Sequence, residues 1–261
     1  MTETTPQNCI CPMTLPLIGD KAPAFIAETT QGIINFPEDY QGHWTILFSH
    51  PSDFTPVCTT EFIMFAQLAH EFEALNTRLL GLSIDSLSSH IAWLYAIEEQ
   101  VKFHGLDHIH IPFPLIADLG QDVARKYGMI HPENSTTKTV RAVFFIDPKS
   151  IIRTILYYPA STGRNFDEIL RILISLQTAD AFGVSTPANW RPGDDVIGND
   201  ATNITEAFQQ ASQNAGTTNA WFLSLTSLPS QMIQNKLLRT SPQKSTSSSK
   251  SPTPKTHKKK K

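Results

Sequence analysis

The stretch FSHPSDFTPVCTTE, residues 48–61, sets a cysteine among a histidine, two prolines, three threonines and a glutamate. Pro51 ends an apolar run, and Pro56 stands where a helix can begin, because the first helical amides have no partner in any case. Cys58 then falls in the first turn of that helix. The free amides and the positive end of the helix dipole favour a thiolate over a thiol there. A thiol with an ordinary pKa near 8.5 is only about 3% ionised at pH 7. Bringing such a group to about 6 makes it roughly 90% thiolate and takes about 3.4 kcal/mol of differential stabilisation. A helix terminus supplies about 1 kcal/mol or less, so a cation is needed close by. Two candidates stand out: Arg141, opening the run VRAVFFIDP, and Arg164, in STGRNF just before a long apolar-faced segment. Arg141 begins an apolar strand, where an unpaired guanidinium is costly. Thr55, three residues before the cysteine, can offer a hydroxyl to an oxygen beside the sulfur. Glu61, three after it, can orient an arginine through a bidentate bond. The pattern points to thiolate nucleophilic chemistry, against the plainer reading of a cysteine as a small buried hydrophobe.

Elements must carry these groups, and hydrophobic periodicity supplies them. Buried strands are expected at 44–50, 79–85 and 113–118, with a hairpin formed by 140–148 and 151–159 about an Asp-Pro-Lys-Ser turn. Amphipathic helices are expected at 57–75 (Phe62, Phe65, Ala66, Ala69, Phe72 at helical spacing), at 88–100 with a serine cap, at 120–128 stopping on glycine, and at 165–182 capped by Asn165. The order implies an α/β fold with a mixed sheet covered by helices. The closing hairpin and helix resemble the second half of a thioredoxin-like fold. Trp93 and the Phe62/Phe65/Phe72 stripe read as core. His104, His108 and His110 lack a helical i,i+4 pair with a supporting carboxylate and read as a solvated loop. After residue 183 the chain becomes Pro- and Gly-rich. Residues 184–197 read as an extended arm rather than a second core, and 200–239 as one or two short amphipathic helices. Residues 240–261 are polar and Lys-rich and read as disordered.

Composition limits the alternatives. The chain has 261 residues, 40% of them hydrophobic, enough for a sizeable core. The net charge of −3 hides two opposed parts: all 24 acids and 12 of the 21 bases lie in residues 1–206, while 207–261 hold nine bases and no acid. Three cysteines are too few and too odd for a disulfide scaffold, and no apolar stretch is long enough to span a membrane. The N-terminus lacks a basic region before its weakly apolar stretch, so a reducing, cytoplasmic setting is expected.

The block Pro51-x-x-x-Thr55-x-x-Cys58 resembles the active-site motif of peroxiredoxins. Together with SIDSLSSHIAW, VRAVFFIDP, YYPASTGRNFDEILRILISLQ and TPANWRPGDDV, it resembles the one-cysteine subfamily from about Leu15 to Ile197. The resemblance implies a thioredoxin-like peroxidase domain over 15–183 and a C-terminal dimerisation arm over 184–200; beyond Ile197 it fails, so 201–239 stays an unassigned extension and 240–261 a polar tail outside the family pattern. It implies that Cys58 attacks hydrogen peroxide or an organic hydroperoxide and becomes a sulfenic acid. It gives Thr55 and Arg141 the peroxide, Pro51 the shielding of the sulfur, Glu61 the positioning of an arginine, His50 a place beside the pocket, and Arg164 the second cation. No metal or organic cofactor is called for. It also implies a homodimer, with higher rings left open.

The chain departs from relatives at several points. No cysteine follows Cys58, so the two-cysteine route to regeneration is closed within residues 59–261. Cys9 and Cys11 form a CxC pair, which is not the redox CxxC spacing. An external thiol, glutathione or a thioredoxin-like protein, is therefore the expected reductant, with resolution by Cys9 or Cys11 as the alternative. YQGHWTILF has no serine between glycines, so the lipase-type motif of some relatives is missing. The Lys-rich tail implies at most a weak, salt-sensitive polyanion contact. The competing function is a non-enzymatic holdase or adaptor on the same scaffold, which would have no chemical need to keep Pro51, Thr55, Cys58 and Arg141 together.

Overall fold

The computed structural model describes residues 15–198, 203–213 and 222–239. Seven strands form one mixed sheet: β1 (Phe25–Thr29), β2 (Gly32–Phe36), β3 (Trp44–Ser49), β4 (Thr77–Ser83), β5 (Leu115–Ala117), β6 (Arg141–Ile146) and β7 (Ile152–Tyr158), in the order β2-β1-β5-β4-β3-β6-β7. The centre is parallel, β3 with β4 and β4 with β5, and β6 and β7 add antiparallel to the β3 edge. β3, in the parallel centre, and β6, antiparallel beside it, are both buried on both faces, which explains why they read as apolar runs rather than alternating ones.

Alternate residues on these strands feed two cores. Ile46, Phe48, Val143 and Phe145 meet the aromatic groups of α1 (Pro56–Gln67), α2 (Ala69–Ala74), α3 (Leu87–Gln100) and α5 (Phe166–Phe182). Leu47, Leu80, Leu82, Ala142, Phe144 and Ile146 meet Phe25, Phe36, Ile116 and α4 (Asp122–Lys126) on the other face. The aromatic packing is dense: Phe48 stacks on Phe65 at 4.0 Å between centroids, and Phe62 lies 4.6 Å from Trp93. Trp93 also donates to the Thr59 hydroxyl at 3.2 Å, fixing α3 against the N-terminal turn of α1.

Helix ends follow the sequence. Ser86 caps α3 by accepting from the Ser89 amide, Asn165 caps α5 by accepting from the Glu168 amide, and Gly183 closes α5 with φ of 65°. Differences are local. The single helix expected over 57–75 is two, because Leu68 leaves helical geometry (φ −93°, ψ 5°) and the chain turns there so that both Phe65 and Phe72 are fully buried. The β1–β2 hairpin carries no clear periodic signal. It is an edge hairpin with Ile26 and Ile33 exposed, and its turn is tied by the Thr29 hydroxyl donating to the Gly32 carbonyl at 2.7 Å.

The segment after α5 is not coreless. Trp190 and Val196 pack with Leu228, just before the last helix, and with Ile233 and Leu237 within it, against Ile174, Ala181 and Phe182 of α5. Short strands β8 (Val196–Ile197) and β9 (Leu225–Thr226) pair antiparallel, followed by α7 (Ser230–Arg239). Trp190, 1% exposed, donates its indole N–H to the Asp194 carbonyl at 3.2 Å. An arm with few apolar residues gains a core because its one tryptophan is covered by residues some 40 positions further on. Between them, α6 (Ile204–Gln213) carries Ile204 and Phe208, both exposed. Cys9, Cys11 and the tail 240–261 lie outside the described residues. No helix among the described residues is long and apolar enough to cross a membrane.

Candidate active site

Cys58 lies where β3, β6, α1 and the turn before α5 converge. The strand β3 ends at Ser49, and the loop 50–55 leads into α1, whose first residue is Pro56. Phe54 in that loop takes a left-handed backbone (φ 54°), which costs a bulky residue energy and is held by the surrounding fixed elements. Thr55 stands at the N-cap, and Thr59 is the residue whose amide closes the turn, onto the Thr55 carbonyl at 3.0 Å. The amide of Cys58 therefore belongs to the set without an intrahelical partner. The cysteine is fully buried, and it is the free cysteine among the described residues.

Arg141 comes to it from the first position of β6. Its Nη1 donates to Cys58 Sγ at 3.2 Å and to Glu61 Oε2 at 2.7 Å, while Nε and Nη2 donate to the Ala160 carbonyl at 3.2 and 2.7 Å. Arg164 does not reach the sulfur. It grips Glu61 instead: the backbone amide and Nε meet Oε1 at 2.9 and 3.0 Å, and Nη2 meets Oε2 at 2.6 Å. Its Nη1 donates to the carbonyls of Ser49 and Ala142, and the guanidinium lies over the rings of Phe48 and Phe65 at 5.2 and 5.4 Å. The bidentate partner of Glu61 is thus Arg164, and Arg141 takes a single bond. The order of contacts runs Arg164, Glu61, Arg141, Cys58.

All three charged side chains are at most 2% exposed. Two guanidiniums against one carboxylate leave a buried excess of one positive charge, a costly arrangement unless an anion sits against it. The atom held against that excess is the sulfur of Cys58.

Thr55 is half-buried, and its hydroxyl proton goes to the Ser52 carbonyl at 2.8 Å. With that proton committed, the hydroxyl can offer a further partner its lone pairs, the reverse of the expected hydroxyl donation. Pro51 is buried in the same loop. His50 is buried too and does not bond the sulfur; its Nε2 pairs with Asp53 Oδ1 at 3.0 Å. His104 and His108 are exposed in the loop after α3, and His110 faces Glu98 at 3.1 Å.

Against known proteins, the sequence profile of the AhpC/TSA family matches residues 18–155, and that of the C-terminal domain of 1-Cys peroxiredoxin matches 175–209. The chain belongs to the one-cysteine peroxiredoxins. It is a thiol-dependent peroxidase. It is 63% identical over 183 residues to a peroxiredoxin of Methanosarcina mazei, covering 70% of this chain and 84% of that one. A peroxiredoxin of Aquifex aeolicus is 57% identical over 180 residues, covering 69% and 78%. Among solved structures, a cysteine-to-serine mutant of peroxiredoxin 6 of Arenicola marina superposes with a TM-score of 0.69 at 35% identity, covering 82% of this chain and 98% of that one. A yeast mitochondrial 1-Cys peroxiredoxin, described with a thiol resolving mechanism via glutathione/thioredoxin systems, gives 0.69 at 40% identity, covering 82% and all of that chain.

The family pattern of this peroxiredoxin runs past Ile197, where the sequence blocks end, because the C-terminal profile continues to residue 209. Its extra length offers no long apolar run and so carries no signal of its own. Two buried polar residues near the site, Asp53 and His90, are not singled out by the sequence reading. His90 shares the buried face of α3 with Trp93 and Ile97 at helical spacing, and a histidine on an apolar face needs a partner.

Proposed function

We propose that this peroxiredoxin reduces hydrogen peroxide and organic hydroperoxides through Cys58 and is regenerated by an external thiol. The observation that carries this is the 3.2 Å contact from Arg141 Nη1 to Cys58 Sγ, in a cluster with one surplus positive charge. A thiolate neutralises that surplus. It attacks the terminal peroxide oxygen; the S–O bond forms as the O–O bond breaks, giving a sulfenic acid and an alkoxide or hydroxide that takes up a proton to leave as alcohol or water. Arg141, fixed by Glu61 and the Ala160 carbonyl, supplies donors where charge moves onto the departing oxygen. Thr55, its own proton committed to Ser52, accepts from the peroxide O–H and orients it. Pro51 closes the loop over the sulfur, Glu61 and Arg164 hold Arg141 in place, and His50 packs behind the loop.

One thiol then attacks the sulfenic acid, releasing water and forming a mixed disulfide. A second releases Cys58 and leaves as a disulfide with the first. Glutathione or a thioredoxin-like protein fits this role, in keeping with the glutathione/thioredoxin systems described for the yeast relative. Residues 15–183 carry the chemistry, and 184–200 begin the segment proposed to serve self-association, as a dimer or larger ring.

Stopped-flow measurement of peroxide loss tests this directly. Cys58→Ser should fall to the uncatalysed background, a loss of about a thousandfold or more because the nucleophile itself is gone. Equal rates in the variant and the wild type would refute the assignment. Replacing both Cys9 and Cys11 by serine should leave glutathione- or thioredoxin-supported turnover within about twofold of wild type. Collapse to a single turnover would instead assign resolution to the N-terminal pair.

A further inference from the structure

A second buried polar cluster lies at the base of the loop 50–55. The Asp53 carboxylate, 2% exposed, bridges two fully buried histidines: Oδ1 is 3.0 Å from His50 Nε2 and Oδ2 is 2.8 Å from His90 Nδ1. The Asp53 amide donates to Asp85 Oδ2 at 3.0 Å, and that oxygen also accepts from the Ser83 hydroxyl at 2.7 Å. Among the described residues, Asp85 and the two histidines bond Asp53, and Ser83 and Ser52 bond Asp85 in turn.

His90 Nε2 is 3.1 Å from the Ile116 carbonyl, which can only accept. Its Nδ1 faces a carboxylate. Both ring nitrogens of His90 therefore face acceptor oxygens, one a carbonyl and the other the Asp53 carboxylate. Burial works against ionisation of that carboxylate, but the hydrogen bonds and charges of His50 and His90 outweigh it and hold Asp53 at about 2. His50 is different: Nε2 gives its proton to Asp53, while Nδ1 is buried with no partner among the described residues. Burial pushes His50 below its ordinary value and outweighs Asp53, so the ring stays neutral. That ring packs on Phe62 at 4.9 Å and Trp93 at 5.0 Å, and Phe62 lies one helical turn beyond Cys58. The three groups His50, Asp53 and Asp85 are close enough to suggest a metal site, but the carboxylate oxygens are already engaged by His90, the Asp53 amide and Ser83.

We propose that Asp53 and His90 are positioning residues of the peroxide step: their hydrogen-bonded pair pins the loop carrying Pro51 and Thr55 to α3 and holds His50 in the Nε2–H tautomer with its Nδ1 lone pair open. This rests on Cys58 being the nucleophile, since the loop matters only through its placement around that sulfur. Displacing Thr55 by even an ångström degrades the alignment of a bound peroxide.

The test combines kinetics with nitrogen NMR of the histidine rings. In wild type, His50 should show the Nε2–H pattern. The second-order rate of Cys58 oxidation should fall about tenfold in Asp53→Asn and in His90→Asn, with no further loss in the double variant, while dimedone still traps Cys58. An Nδ1–H His50 in the wild-type spectrum overturns the proposal, as do single variants that oxidise at the wild-type rate. Should the variants fail to fold, the wild-type spectrum decides alone. A Cys58→Ser protein that consumes peroxide normally would sink the active-site reading instead, a separate outcome.

Discussion

Arg141→Ala lowers the second-order rate of peroxide reduction by about a hundredfold to a thousandfold at pH 7. Arg141 is the residue whose guanidinium touches the sulfur, at 3.2 Å, so its removal takes away both the charge that favours a thiolate and a donor to the breaking O–O bond. Arg141→Lys keeps the charge but loses the planar fork that also binds Glu61 and Ala160, so it should recover only part of the rate. Stopped-flow kinetics of the three proteins provide the check. An alanine variant within about threefold of wild type would remove Arg141 from the mechanism.

Glu61→Gln has the largest expected effect on stability. The carboxylate accepts one hydrogen bond from Arg141 and three from Arg164, and all three side chains are buried. Neutralising it leaves two buried guanidiniums, Arg141 with the Cys58 sulfur as its remaining anionic partner and Arg164 without one, which costs about 3–5 kcal/mol. For a chain of this size that is a fall in Tm of roughly 10 °C. Activity should fall as well, because Arg141 loses the bond that aims it at the sulfur. Differential scanning calorimetry beside peroxide kinetics separates the two effects. Unchanged Tm and rate would mean that the cluster is not the support described above.

These groups are legible in the sequence to different depths. Pro51, Thr55, Cys58 and Glu61 share one short stretch, and helical spacing alone brings Thr55 and Glu61 near the cysteine. Arg141 is accessible because a guanidinium at the head of an apolar strand needs a buried partner. The division of labour between Arg141 and Arg164 is not, since it depends on the Ala160 turn and on Ser49 and Ala142 supplying carbonyls from two different strands. The direction of the Thr55 hydroxyl likewise depends on Ser52, through a turn that the left-handed Phe54 makes possible. Asp53 and His90 are 37 residues apart, and nothing local in either segment announces the other. Central strands and long helices are plain because burial on both faces or on one stripe writes itself into periodicity. The edge hairpin β1–β2 and the cluster around Trp190 are hidden, the first because its isoleucines face solvent, the second because its lid is distant in sequence.

The claim that everything else rests on is that Cys58 is the atom peroxide meets first. Reduced protein exposed to one equivalent of hydrogen peroxide, quenched with dimedone and digested, answers it by mass spectrometry. The adduct should lie on the peptide containing Cys58, at near-stoichiometric yield, and should vanish when glutathione precedes the dimedone. Peroxide consumed with the label on Cys9 or Cys11, and Cys58 left as an unmodified thiol, would contradict that role.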